Sequence, residues 1–149
     1  MTSEVAGITR AGTGQDDVVW NILGQTYFPK QACESSFAFE AHSPAGTFVP
    51  PHIHTTQDEY IFMLEGTFRL VLDGQTHHAK AGDLVRMPRG IMHGYFNDSG
   101  ANARAFFWVS PARRLHDLFK AIHNVPDPAE VMRLSALHEV NFLPPPPNA

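Results

Sequence analysis

The residues best equipped for chemistry lie together in "PPHIHTTQDEY", residues 50–60. Two histidines stand one residue apart, and a glutamate follows five positions after the second. On a strand successive side chains alternate faces, so His52 and His54 project together and Ile53 projects away. Two imidazoles on one face can bind one cation without contortion. Glu59 is far enough along for the strand to end and turn back, with Thr55, Thr56, Gln57 and Asp58 as a polar turn. Imidazole suits transition metals, and a carboxylate oxygen adds hardness and negative charge. The same residues would equally serve as polar alternation in a wet loop, and the histidine pair alone does not separate these readings.

A further histidine tips the balance. In "GDLVRMPRGIMHGYFN" (82–97), His93 follows a Pro88–Arg89–Gly90 turn and opens a new strand. Alone it would read as a core or turn residue; joined to His52, His54 and Glu59 it reads as one more ligand of a shared ion.

The elements that must position these groups are short. "VVWNIL" (18–23), "QTYF" (25–28), "SSFAFEA" (35–41), "GTFVPPHIH" (46–54), "EYIFMLEG" (59–66), "TFRLVL" (67–72), "QTHHAK" (75–80), "LVRM" (84–87), "IMHGYFN" (91–97) and "ARAFFWVS" (103–110) read as strands between turn residues. The Asp73–Gly74 dipeptide is a strong hairpin signal. Many short strands at such spacing mean an all-β antiparallel sandwich or barrel. The period then changes: Leu115, Leu118, Phe119 and Ile122 make one helical stripe, with Ser110 as N-cap and Pro111 at the first helical position. "DPAEVMRLSALHEV" reads as a second helix capped by Asp127, with Glu130 able to reach back. Three stretches follow: a flexible segment over 1–15, a β-barrel over 16–110, and a helical tail over 111–149 with a stiff, Pro-rich end.

Composition narrows the function classes. A chain of 149 residues with 43% hydrophobic and 17% charged residues can bury one substantial core. A net charge of −4 without long charge runs argues against nucleic acid as the main partner. The single Cys33 cannot form an internal disulfide, the first residues lack a signal-peptide build, and no apolar run is long enough to span a bilayer. The expectation is a cytoplasmic protein with no membrane partner.

The spacing of these residues resembles the cupin superfamily. Gly46, His52, His54, Glu59 and Gly66 follow its first motif, and Gly82, Pro88, Gly90, His93 and Asn97 follow its second. The resemblance implies a single-domain jelly-roll barrel of six to eight strands, with the short C-terminal helices packed outside. It also implies one divalent transition metal ion held by His52, His54, Glu59 and His93. Iron, manganese, nickel, cobalt, copper and zinc all suit such a set. Asn97 and the glycines read as structural. Within the superfamily the chain is similar to quercetin dioxygenase-like single-domain proteins, on "PPHIHTTQDEYIFMLEGTFRL" and the tail "AEVMRLSALHEVNFLPP". Those enzymes bring a flavonol and dioxygen together and open the heterocyclic ring, releasing carbon monoxide, with the ligand glutamate as base.

The expected function is therefore a metal-dependent dioxygenase of a small aromatic or enolic compound, with Glu59 as permanent ligand or as general base. The alternatives are an isomerase or lyase that uses the metal as a Lewis acid, and a non-catalytic small-molecule or metal-binding module. Strand parity carries Ile61 and Met63 inward with Glu59, and Tyr95 inward with His93. Phe48 shares parity with His52 unless the prolines between them break the register. These four would wall the substrate pocket. Asp58, Arg69, Arg86 and the other histidines read as surface. Outward Ile53, Tyr60 and Phe62 would serve a homodimer interface.

Overall fold

The computed structural model of the chain describes residues 4–144. The alternating patterns form eleven strands among the described residues: β1 (Trp20–Ile22), β2 (Gln25–Cys33), β3 (Ser36–Ser43), β4 (Phe48–His54), β5 (Asp58–Glu65), β6 (Thr67–Leu72), β7 (Gln75–Lys80), β8 (Leu84–Met87), β9 (His93–Phe96), β10 (Ala103–Ser110) and β11 (Val140–Phe142). Two helices, α1 (Leu115–Ile122) and α2 (Pro128–Ala136), lie between β10 and β11.

The strands make two antiparallel sheets, one in the order β1-β2-β3-β10-β5-β8 and one in the order β11-β4-β9-β6-β7. This is an all-β jelly-roll barrel with the helices outside the sheets. The described residues form more strands than the expected six to eight; among them β1 and β11, each three residues long, extend the two sheets at their edges.

Alternation decides which residues fill the interior. Along β10, Ala103, Ala105, Phe107 and Val109 are buried, while the residues between them are partly exposed. Phe107 stacks on Phe39 with centroids 5.0 Å apart, and Phe68 stacks on Tyr95 at 4.8 Å. Asp73 and Gly74 both adopt positive φ (50° and 81°), as a two-residue hairpin between β6 and β7 requires.

The C-terminal segment departs from expectation at three points. Ser110 does not cap α1: it remains in β10 opposite Asp58, and Oγ donates to the Ser35 carbonyl at 3.0 Å. The carbonyls of Pro111 and Ala112 accept from Gln57, so the chain there serves the barrel and α1 begins only at Leu115. The second helix ends at Ala136, and Val140 joins β11 against His54. Asp127 does cap α2, accepting from the Ala129 amide at 3.0 Å, whereas Glu130 pairs forward with Arg133 at 2.6 Å. The buried stripe of Leu115, Leu118, Phe119 and Ile122 faces the barrel interior.

Towards the N-terminus the chain is irregular up to a short turn of helix at Gln15–Asp17, and it is tied to β2: Lys30 Nζ donates to the Arg10 and Thr13 carbonyls at 3.0 and 2.6 Å. The last residues of the Pro-rich end, 145–149, lie outside the described residues. The three side chains expected at a dimer interface do not share a surface. Tyr60 and Phe62 lie on β5 of the six-stranded sheet, and Ile53 lies on β4 of the other sheet, half-buried.

Because the α1 stripe closes the interior, Leu118→Ala should cost about 2–5 kcal/mol. Leu137→Ala, at a residue 56% exposed, should change stability by under about 0.5 kcal/mol. Urea unfolding of both variants checks the contrast, and equal effects would show that α1 is not part of the core.

Candidate metal centre

His52 and His54 sit on β4, and His93 opens β9 directly opposite His52 in the ladder. All three imidazoles therefore come from the five-stranded sheet. Glu59 lies on β5 of the other sheet, paired with Met87 and Val109. The Thr55–Gln57 turn thus carries the chain from one sheet to the other across the barrel, and the carboxylate meets the imidazoles in the interior. All four residues are buried, at 1–5% exposure, and one ligand atom of each lies within 4.8 Å of the others.

The orientation of each ring is fixed from behind. His52 Nδ1 donates to the Pro50 carbonyl at 2.9 Å, and His93 Nδ1 donates to the Ile91 carbonyl at 3.1 Å. His54 Nδ1 meets Gln57 Oε1 at 2.6 Å. Gln57 Nε2 donates to the carbonyls of Pro111 and Ala112 at 3.1 and 2.9 Å, so its Oε1 must be the atom that accepts from His54. Carrying the proton on Nδ1 leaves each Nε2 lone pair for a cation. His93 Nε2 is buried with no hydrogen-bond partner among the described residues. Three inward imidazole nitrogens, one of them orphaned, and a carboxylate fit a divalent transition metal.

The charge state of the metal-free cluster follows from its geometry. Glu59 Oε2 lies 2.8 Å from His54 Nε2 and 3.9 Å from His93 Nε2. Burial pushes Glu59 up, but the imidazoles, His54 first, outweigh it and hold the carboxyl down at about 2. Burial works to lower His54, yet the adjacent Glu59 raises it above the ordinary imidazole value. Burial holds His52 well below that value, with His93 and His54 adding to the effect, and burial also lowers His93. Below the raised His54 value the metal-free cluster therefore favours one imidazolium–carboxylate pair, His54 with Glu59, and two neutral imidazoles.

A cavity of about 50 Å³ opens beside His52, His54 and Glu59, walled by Tyr27, Phe39, Tyr95, Phe107 and the helical stripe. Tyr95 is where strand parity puts it. Its hydroxyl donates to Gln25 Oε1 at 2.8 Å and lies 3.0 Å from the Tyr27 hydroxyl. Burial raises both phenols above their ordinary value. Ile61 and Met63 are fully buried but lie in the core away from this cavity. Phe48 is a correction: it is 49% exposed and stacks on Phe96 at 5.6 Å, while Val49 takes the inward place. The β4–β9 register shifts between Val49 and His52, so the Pro50–Pro51 step inverts the parity upstream of the histidines. Gly94 lets the strands close around that step, because a Cβ there would sit 2.9 Å from Pro51 N.

Other polar residues stand apart from the cluster. Asp58 is a rim carboxylate that accepts from the Arg89 amide at 2.9 Å, tying the Pro88–Gly90 turn to β5. Arg69 pairs outward with Asp98 at 2.7 Å, and Arg86, His77 and His78 are exposed. His116 is half-buried: it packs edge-on against Trp20 at 5.1 Å. Asn97 is structural, its Nδ2 donating to the Ser43 and Ala101 carbonyls at 2.8 Å each. In the sequence Gln57 reads only as a turn residue. Its only local signal is a polar side chain three positions after His54; its other partners lie more than fifty residues away.

Residues 39–110, which hold all four ligand candidates, match the protein family described as Cupin domain. Among curated proteins, the chain is similar to protein SchB of Streptomyces halstedii, 26% identical over 73 residues, which covers 49% of this chain and 53% of SchB. It is also similar to polyketide synthase CurC of Streptomyces cyaneus, 29% identical over 66 residues, covering 44% of this chain and 43% of CurC. The chain spans about half the length of the curated relatives it matches. An RmlC-like cupin from Shewanella frigidimarina superposes with a TM-score of 0.64 at 19% identity, over 73% of this chain and 94% of that one. KdgF from Halomonas sp. superposes with a TM-score of 0.61 at 20% identity, over 70% and 96% of the two chains. The barrel thus has the jelly-roll fold of these solved structures.

Two measurements check this centre. In metal-free protein, the depressed Glu59 contributes stability above pH 4.5 that is lost as pH falls towards 2. The raised His54 contributes below pH 6.5 and is lost as pH rises through its folded value. The melting-temperature deficit of chelator-stripped Glu59→Gln should therefore be largest between pH 4.5 and 6.5 and shrink as pH rises through the raised His54 value; a pH-independent deficit would show that no ion pair forms. Gln57→Leu should weaken nickel affinity by about 10–100-fold through loss of the His54 tautomer, as read by titration calorimetry.

Proposed function

We propose that this protein is a metal-dependent dioxygenase acting on a small aromatic or enolic compound, in the manner of the quercetinase-like cupins. One observation carries the reading: a buried set of three inward Nε2 atoms and one carboxylate opens on a cavity walled by aromatic and aliphatic side chains. His52, His54, Glu59 and His93 would hold the ion. When bound, the ion would supply a Lewis-acid site and, for a redox-active metal, a place for substrate and dioxygen to meet.

The chain's own groups then have distinct tasks. Glu59 takes the enolic proton of the substrate at Oε2. In the metal-free pair with His54 it is a weak base, held at about 2. An ion held at His54 Nε2 would leave no proton there for Glu59 to accept, so a carboxylate oxygen not bound to the ion would be available to take the substrate proton. Tyr95 donates to Gln25, and Tyr27 is within hydrogen-bond distance of Tyr95, which leaves the Tyr27 oxygen as an acceptor for a substrate hydroxyl. Phe39, Phe107, Leu118 and Phe119 exclude water from the deprotonated substrate. Dioxygen is the oxidant, and both its atoms end in the product. The similarity to polyketide synthase CurC agrees with an enolisable substrate, because polyketide chains are rich in such carbonyls.

The test is oxygen uptake by protein loaded separately with iron, manganese, nickel, cobalt, copper or zinc, offered a flavonol and a 1,3-diketone. Uptake with at least one ion, reduced about 10²-fold or more in Glu59→Gln, is the expected result. Turnover without oxygen would instead assign an isomerase or lyase. Tight binding with no turnover would assign a binding module.

A further inference from the structure

The cavity at the cluster is smaller than any aromatic ligand. It measures about 50 Å³, whereas an apolar cavity known to bind benzene measures about 150 Å³. Beyond it lies a second hollow of about 710 Å³, between the β1–β2 turn, the start of β4, the α1–α2 link and β11. Leu23, Val131 and Phe142 line both hollows and form the partition between them. At the cluster that partition is one side chain deep, since the Phe142 ring lies 5.1 Å from the His52 ring.

The partition is built in an unusual way. Leu23 holds a φ of 50°, followed by Gly24 at 79°. A turn of this shape favours glycine or asparagine at its first position, so a leucine there is a strained residue whose side chain has a use. Phe142 belongs to a three-residue edge strand that pairs with β4 alone, an element easily displaced.

The chemistry of the outer hollow is equally selective. Phe48, Val125, Met132 and prolines dominate its wall, Asn21, Thr47 and Asn124 are its polar side chains, and among the described residues no ionisable side chain lines it. A charged group lodged there would lose its hydration without gaining a partner. Exposure of Phe48 and Met132, at 49% and 38%, leaves an apolar lip open to solvent.

We infer that the outer hollow is the access groove and outer subsite of the metal centre, and that its ligand is an uncharged, elongated aromatic molecule. The phenolic or enolic oxygen reaches the cluster, one ring parts Leu23 from Val131 and Phe142, and the apolar remainder rests against Phe48 and Met132. The reacting end rests on the proposed function; the route, the length and the absence of charge are added by the groove.

The experiment follows binding of 3-hydroxyflavone and of its ring-sulfonated derivative to nickel-loaded protein by stopped-flow fluorescence. The variants are Leu23→Trp at the partition and Met132→Trp at the exposed lip, each checked for nickel content and melting temperature. Leu23→Trp should slow association by about tenfold or more, Met132→Trp should weaken binding several-fold with nickel content unchanged, and the sulfonate should bind wild type about tenfold more weakly. Wild-type rates and affinities in Met132→Trp and in any folded Leu23→Trp would overturn the route. Equal binding of the sulfonate would overturn the ligand class, and no binding of the neutral flavone by nickel-loaded wild type would overturn both. Oxygen uptake is scored separately: flavone bound through the groove without uptake removes the dioxygenase reading and leaves the groove standing.

Discussion

Three imidazoles and a carboxylate are held inside an apolar barrel, and much of the nearby structure follows from making that tolerable. An unpartnered polar group in such a place costs free energy comparable to a lost hydrogen bond, and an unpaired charge costs more. Each ring is therefore anchored at Nδ1, by the Pro50 carbonyl, the Ile91 carbonyl or Gln57. The Glu59 charge is met by His54 at 2.8 Å. What is left unsatisfied, the Nε2 of His93, points at the place where an ion would complete the set.

The helical segment belongs to this arrangement and is more than an appendage. Leu115, Leu118, Phe119 and Ile122 bury their stripe against Tyr27, Phe39 and Phe107, so the residues that stabilise the barrel also wall the cavity at the centre. Gln57 joins the two physically, with its oxygen on a ligand histidine and its nitrogen on the carbonyls that lead into α1. Arg113 and Glu139, at the two ends of the helical segment, pair at 3.2 Å. Each of the two adopts a positive φ, so the chain turns sharply on entering and leaving the segment. A shift of the helices would be felt at His54 through Gln57, and a change at His54 would be felt by the helices.

Apolarity also organises the surroundings of the centre. Outside the cluster the cavity's polar side chains are the two tyrosines and Ser135, and no ionisable side chain among the described residues lines the groove beyond. Three arginines are paired with carboxylates away from the cavity and groove: Arg69 with Asp98, Arg89 with Asp58 and Arg113 with Glu139. The charges thus serve the rim and the surface, and the interior keeps a low dielectric around the imidazole–carboxylate pair.

How much of this was legible in the sequence divides along the range of the interactions. Local geometry was readable: period-two alternation gave the strands, Asp73–Gly74 gave its hairpin, and the spacing of His52, His54, Glu59 and His93 gave the candidate ligand set. What depends on contacts between distant segments was not. The Pro50–Pro51 step turned Phe48 outward, because β9 had to pack against it through Gly94. Ser110 stayed in a ladder with Asp58 instead of capping a helix, and Val140 left the helical pattern to pair with His54. Gln57 acquired its role only when Pro111 and Ala112 arrived beside it. The residue types and their spacing determined which atoms were fit to hold an ion. The packing of two sheets and a helical segment decided where those atoms meet, since side-chain periodicity is set by the local backbone and convergence is set by what the whole chain must bury.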